Sequence, residues 1–231
     1  MSAESLNLSV TFGPERAATY DDDFAALSAI KNVMHLILRV HLSDLPENAR
    51  ILSVGAGTGA EVRYLATLDP SWQFTLVDPS SAMLEIAREH AESEGFSDRC
   101  HFHSDYVSTL TENNFDAATS LLVSHFLNTL ETRMAFFQAI SDRLKPGARL
   151  FNVDLCTNTD DPEFSALMTV WKNLLALNGA SEEALANYAS AFGHDFACHD
   201  PSEVVAMIET AGFDRPVQCF QAGLIRGWIT A

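Results

Sequence analysis

The sequence predicts an α/β protein with a doubly wound, seven-stranded sheet. Three observations carry this. Short apolar runs end on Gly or Asp. Amphipathic helical stretches separate them. Two further apolar runs close the chain around Gly223. Strands alternating with helices at this rhythm build a parallel sheet covered on both faces. Right-handed crossovers restrict the topology to doubly wound forms.

The elements follow in order. Ile51-Leu52-Ser53-Val54, ending at Gly55, reads as a first buried strand, and Trp72–Val77, ending at Asp78, as a second. Cys100–His103 is a third and Asp116–Leu121 a fourth. Arg149–Val153 is a fifth, introduced by the turn Lys145-Pro146-Gly147. Helices are expected at about 59–68, 80–94 and 130–144; Met83, Leu84, Ile86 and Ala87 form an apolar stripe in the second, and Ser80 or Ser81 caps it. Two segments stand outside this alternation. Phe24–Leu45 reads as one long amphipathic helix. Residues 156–200 form a helical insertion whose first helix starts at Asp160-Asp161-Pro162-Glu163 and ends at Asn178-Gly179. A helix from Pro201 to Gly212 and strands at about 215–221 and 224–230 complete the chain. The expected division is 1–48 as an N-terminal helical lid, 49–155 as the α/β core, 156–200 as a helical lid insertion and 201–231 as the closing helix and hairpin.

Composition excludes several function classes. Among 231 residues, 14 Lys+Arg stand against 31 Asp+Glu, a net charge of −17. Nucleic acid and anionic membrane surfaces need Lys and Arg, so neither is expected as a partner. No run of about 18 apolar residues is present to span a bilayer. Met1–Val10 resembles neither a secretory signal nor a transit peptide. Cys100, Cys156, Cys198 and Cys219 show no paired spacing and read as reduced thiols of a cytoplasmic protein. The composition is compatible with a homodimer.

The most informative segment is Gly55-Ala56-Gly57-Thr58-Gly59-Ala60-Glu61, directly after the first strand. Glycines let the backbone turn tightly and pass close to a ligand, and the helix N-terminus beyond them favours polar or anionic groups. Asp78, 23 residues after Gly55, ends the second strand and can accept both hydroxyls of a ribose. These letters satisfy two templates. Gly55-x-Gly57-x-x-Ala60 with Asp78 fits a dinucleotide fingerprint. Gly55-x-Gly57-x-Gly59 fits the first motif of another nucleoside-binding class.

Three later features favour the second. Ser104-Asp105-Tyr106 follows the third strand, Asn114–Ala118 and Arg143–Ala148 open the fourth and fifth, and Glu209–Phe213 precedes a terminal hairpin. With the glycine loop, these resemble class I S-adenosylmethionine-dependent methyltransferases, closely over 50–231 and more loosely over 15–60. The resemblance implies a Rossmann-like methyltransferase fold and S-adenosyl-L-methionine as cofactor. It places Gly55, Ala56, Gly57 and Gly59 along the methionine moiety and Asp78 on the ribose, with Pro79 beside it. Met83, Asp105 and Tyr106 fall at the adenine, and the ends of the fourth strand, Ser120 and Leu121, at the methionine ammonium. Tyr20 resembles an N-terminal tyrosine that reaches the cofactor carboxylate. One position departs: many members carry an acid two residues before the first glycine, where this chain has Ser53, and Glu61 is a candidate to compensate.

Val217–Gly223 and the length of the insertion resemble the carboxy-S-adenosylmethionine synthase family, which serves tRNA modification. Its members hold the extra carboxylate with an insertion arginine, and residues 173–214 here contain neither Arg nor Lys. Ordinary S-adenosylmethionine is therefore expected.

Methyl transfer needs positioning, plus a base only when the acceptor loses a proton. His125, past the fourth strand, is the candidate base, and Asp154, at the end of the fifth, a candidate to orient or deprotonate the acceptor. His101 and His103 alternate on a strand, and His194, Asp195, Cys198, His199 and Asp200 cluster in the insertion, but neither group has metal-site spacing, so no metal is expected. Between Cys156 and Asp214 one base, Lys172, faces ten acids, which points to a neutral or cationic small-molecule substrate and away from tRNA. A cofactor-binding protein without transferase activity and a tRNA-modification-related enzyme are the alternative functions.

Overall fold

The computed structural model describes residues 8–23, 25–177, 179–183, 185–186, 197 and 199–230. Seven strands form one sheet: β1 (Arg50–Val54), β2 (Gln73–Val77), β3 (Cys100–His103), β4 (Phe115–Leu121), β5 (Leu144–Leu155), β6 (Val217–Ala222) and β7 (Ile225–Ile229), in the order β3-β2-β1-β4-β5-β7-β6. The pairs β1·β2, β2·β3, β1·β4 and β4·β5 are parallel, whereas β7 runs antiparallel between β5 and β6. The expected doubly wound architecture with a C-terminal hairpin is present.

The α-helices among the described residues include α1 (Leu8–Thr11), α2 (Pro14–Asp23), α3 (Ser28–His41), α4 (Ala60–Ala66), α5 (Ser81–Ser93), α6 (Leu130–Ser141), α7 (Phe164–Leu177) and α8 (Pro201–Thr210). Strand alternation sorts the core into two halves. Ile51 of β1 joins Leu38 of α3, Leu65 of α4, Leu84 of α5 and Trp171 of α7 on one face. Its neighbour Leu52 joins Phe137 of α6, Met207 of α8 and Trp228 on the other. Side chains on a strand point alternately to opposite faces, so an uninterrupted apolar strand needs both faces covered. The helices of the N-terminal and insertion segments thus share the core of the sheet.

Three boundaries differ from the sequence reading. The long helix expected over Phe24–Leu45 is α3 alone, preceded by a 3-10 turn at Ala25–Leu27 and by α2. Asp21, Asp22 and Asp23 crowd the last turn of α2, where negative charge opposes the helix dipole, and that helix stops there. The insertion helix starts at Phe164, because the preceding acids form turns: Asp161 accepts the Glu163 N–H at 2.8 Å. The fifth strand pairs as early as Leu144, opposite Phe115, and then bulges through Lys145-Pro146-Gly147 before Arg149 meets Ala117. The terminal hairpin closes as expected at Gly223. Ala222 pairs with Ile225, and Gly223 holds φ 59°, which suits a two-residue turn with glycine first.

The face assignment of α3 can be checked directly. Leu38 is fully buried and Leu36 is 57% exposed. Leu38→Ala is expected to lower unfolding free energy by about 2–5 kcal/mol and Leu36→Ala by under about 0.5 kcal/mol, read from urea midpoints.

Candidate active site

Strand order reverses between β1 and β4, and in open α/β sheets the crevice beyond this switch point receives ligands. The glycine loop after β1 and the segment Leu122–Phe126 after β4 both arrive there. Gly55 and Gly57 adopt φ 68° and 54°, a region costly for other residues. Gly55 is needed for a second reason: a Cβ there would stand 2.3 Å from Val123 Cγ2. At Gly57 nothing lies within 4 Å of a Cβ, so that glycine borders open space.

Asp78 fastens the loop to β2. Its Oδ2 accepts the Gly57 N–H at 2.9 Å and its Oδ1 the Ser80 N–H at 2.8 Å. Burial pushes its carboxyl up, and these two N–H donors oppose the rise. The Ser80 hydroxyl caps α5 by accepting the Met83 N–H at 3.2 Å, and donates to the Phe12 carbonyl at 2.6 Å.

Two cavities border the loop. The larger, about 640 Å³, is lined by Tyr20, Gly55, Ala56, Gly57, Leu121 and His125 among others. Its walls also include Phe12, Phe126 and Trp171, with charged groups Arg16, Lys31, Asp21, Asp23 and Glu61 at intervals. A smaller one, about 40 Å³, is lined by Pro79, Asp105 and Tyr106 together with Leu8, Gly55 and Val123. The sequence-predicted residues thus separate into two groups flanking Gly55. Gly59, Met83, Asp78 and Ser120 line neither cavity. Gly59 holds φ 77° at the start of α4 and faces Ala87, Met83 is packed in the first turn of α5, and Ser120 is buried within β4.

Beneath His125 lies a buried charge network. Asp154 Oδ1 accepts the His125 backbone N–H and Nδ1–H, both at 2.9 Å. Its Oδ2 accepts Arg133 Nη2 at 2.6 Å and the Ser124 hydroxyl. Burial alone would push this carboxyl up; the Arg133 guanidinium, His125 and Ser124 outweigh it and hold it at about 2. With four donors on two oxygens, Asp154 is an ionised orienting group. The deprotonating role considered from sequence does not fit it. With Nδ1 turned to Asp154, Nε2 is the ring nitrogen through which His125 would act as a base. Arg133 also donates from Nη1 to His199 Nδ1 at 2.8 Å, and the Ala197 N–H donates to the His125 carbonyl at 2.8 Å. The end of the insertion is thereby docked on the β4 loop.

Sequence reasoning missed Arg133, whose signal was a cation set among the apolar residues of the helix expected at 130–144. It also missed Phe12, Asp21 and Thr58. Thr58 Oγ1 donates to Asp21 at 2.8 Å, and Phe12 packs edge-on against Tyr20 and Phe126. Tyr20 is half-buried, and desolvation pushes its hydroxyl up to about 12. The histidine pair of β3 is peripheral: His101 Nδ1 meets Glu112 at 3.1 Å and His103 Nε2 meets Thr109 Oγ1 at 2.8 Å. Asp200 caps α8 by accepting the Ser202 N–H, while His194, Asp195 and Cys198 lie outside the described residues. Among the described residues no group of three His, Cys, Asp or Glu side chains could hold a metal ion, and no helix is long and apolar enough to cross a membrane.

Residues 51–147, from β1 through the start of β5, match the family model of a methyltransferase domain. That stretch is similar to a methyltransferase domain. Curated proteins are similar over longer stretches. A Synechococcus protein of unassigned function is 36% identical over 103 residues, 44% of this chain and 24% of that one. Carboxy-S-adenosyl-L-methionine synthase of Aeromonas salmonicida is 29% identical over 181 residues, 74% of this chain and 69% of the synthase. A solved structure of a candidate O-methyltransferase from Nostoc punctiforme aligns over 99% of this chain and 62% of its own length, with TM-score 0.69 at 18% identity. This chain therefore spans a quarter of the first relative and under two thirds of the structural one. Kinship with the synthase is distant, and the fold is that of the methyltransferases.

The Arg133–Asp154 pair yields a test. Arg133→Met leaves a buried carboxylate without its cation and is expected to cost about 3–5 kcal/mol at pH 7 by urea unfolding. In the wild type the folded Asp154 lies below its ordinary value, so its contribution is present above about pH 4 and is lost as pH falls towards 2. In the variant burial dominates and raises the carboxyl, so the penalty shrinks towards pH 3, and Asp154→Asn in the same chain restores part of the loss at pH 7.

Proposed function

We propose that this protein is an S-adenosyl-L-methionine-dependent methyltransferase acting on a small, largely apolar acceptor. The observation that carries the reading is the meeting of the glycine loop and an oriented His125 on one cavity at the switch point of a methyltransferase domain. The donor set fits the cofactor. Gly57 brings backbone to the open cavity with no Cβ in the way, and Asp78, which lines neither cavity, sits directly behind that backbone as the acid that would turn to the ribose. Pro79, Asp105 and Tyr106 would flank the adenine, and Gly55, Ala56 and Leu121 the methionine moiety. When bound, S-adenosylmethionine supplies a methyl group already activated on a sulfonium.

The chain's own residues then have limited tasks. Phe12, Phe126 and Trp171 would exclude water and align the acceptor. His125 Nε2 would take a proton from an acceptor hydroxyl or amine, and Asp154 would keep Nδ1 protonated and stabilise the charged ring. The cavity's acids, Asp21, Asp23 and Glu61, outnumber Arg16 and Lys31, and Arg16 is paired with Asp23 at 2.6 Å. That balance supports a neutral or cationic acceptor. A cytoplasmic site of action, with no nucleic acid or membrane partner, accords with the net charge of −17.

Calorimetry with S-adenosylhomocysteine is expected to show binding, weakened about 10- to 100-fold by Asp78→Ala through loss of charge-assisted hydrogen bonds. An absence of heat with folded wild-type protein would sink the reading. In an S-adenosylhomocysteine-release assay over a panel of hydroxylated apolar acceptors, His125→Ala is expected to lower kcat by about 10²- to 10⁴-fold.

A further inference from the structure

Glu61 is an acid buried without a cation. It is the second residue of α4, where an exposed carboxylate would enjoy the helix dipole without being desolvated. Instead the side chain is only 7% exposed and accepts a hydrogen bond from Ser53 Oγ at 2.5 Å. Among the described residues no lysine, arginine or histidine forms an ion pair with it. The nearby charge that acts on it is another acid, Asp78, and burial pushes its carboxyl up. Yet Glu61 lines the larger cavity beside Gly57 and Ala60. A buried, uncompensated carboxylate facing a ligand cavity is costly unless the ligand brings positive charge.

Building on the cofactor reading above, we propose that the Glu61 carboxylate, steered by Ser53, receives the α-ammonium of the cofactor's methionine moiety. The chain thereby carries on its first helical turn the acid that is missing from the end of β1. The cofactor has a second cationic centre, the sulfonium, but that charge disappears as the methyl leaves. A carboxylate against it would stabilise the ground state more than the transition state and slow transfer. The ammonium keeps its charge throughout, so pairing with it costs the reaction nothing.

The test compares two neutral-sulfur ligands by calorimetry: S-adenosylhomocysteine, which has the ammonium, and 5′-methylthioadenosine, which lacks the amino acid. Wild type is expected to bind both. Glu61→Gln should weaken S-adenosylhomocysteine about 10- to 100-fold and leave methylthioadenosine within about 2-fold. Ser53→Ala, a milder change, should act in the same direction. Ser53→Asp with Glu61→Gln, which returns an acid to the strand end, should recover most of the affinity. Equal weakening of both ligands, or none of either, would overturn the assignment, as would a much larger loss for S-adenosylmethionine than for S-adenosylhomocysteine. Failure of the wild type to bind either adenosyl ligand would instead remove the cofactor reading and this proposal with it.

Discussion

The ionised Asp154, held beneath the β4 loop, is the constraint on which the site depends. A carboxylate removed from water must be matched by donors and a cation, or the fold pays several kcal/mol. Here the match is drawn from separate stretches of chain: Ser124 and His125 after β4, Arg133 in α6, and Asp154 itself on β5. Arg133 extends the arrangement to His199, ahead of α8. Each partner fixes another, so the orientation of His125, the position of α6 and the docking of the insertion's end are one electrostatic arrangement.

The opposite wall of the site is built by backbone. Asp78 joins the glycine loop to the β2 end, and Val123 stands so close to Gly55 that the β4 loop and the glycine loop interlock. Leu122, with φ 61°, holds a conformation uncommon for a residue with a side chain, and the residue after it is the one that meets Gly55. The N-terminal segment then lies over both. Ser80 bonds to Phe12, Thr58 to Asp21, and the rings of Phe12, Tyr20 and Phe126 interleave.

Much of this was legible in the sequence, for identifiable reasons. Strands such as Ile51–Val54 announce themselves because parallel strands are apolar on both faces, and the glycine loop and Asp78 because their chemistry sits at strand ends. The hairpin at Gly223 was legible because two-residue turns demand a specific residue. Long-range pairings were not. Nothing near Arg133 in sequence indicates that it neutralises a carboxylate on another strand. Ser53 was visible as a departure and Glu61 as a candidate to compensate, but only the fold shows the hydrogen bond that joins them. The 3-10 turn ahead of α3 was missed because the apolar spacing of Leu27, Ile30 and Met34 runs through it.

The position of β7 has a kinetic consequence. The strand last in sequence is not last in space: it sits between β5 and β6, with Phe151 opposite Ile229. The β5 edge, which carries Asp154, stays open during synthesis until residues 225–229 have emerged. Contacts of such sequence separation form late, because chain closure must come before they stabilise anything. An unpaired strand edge is also where partly folded chains associate wrongly. Completion of the sheet beside Asp154 is therefore tied to translation of residues 225–229.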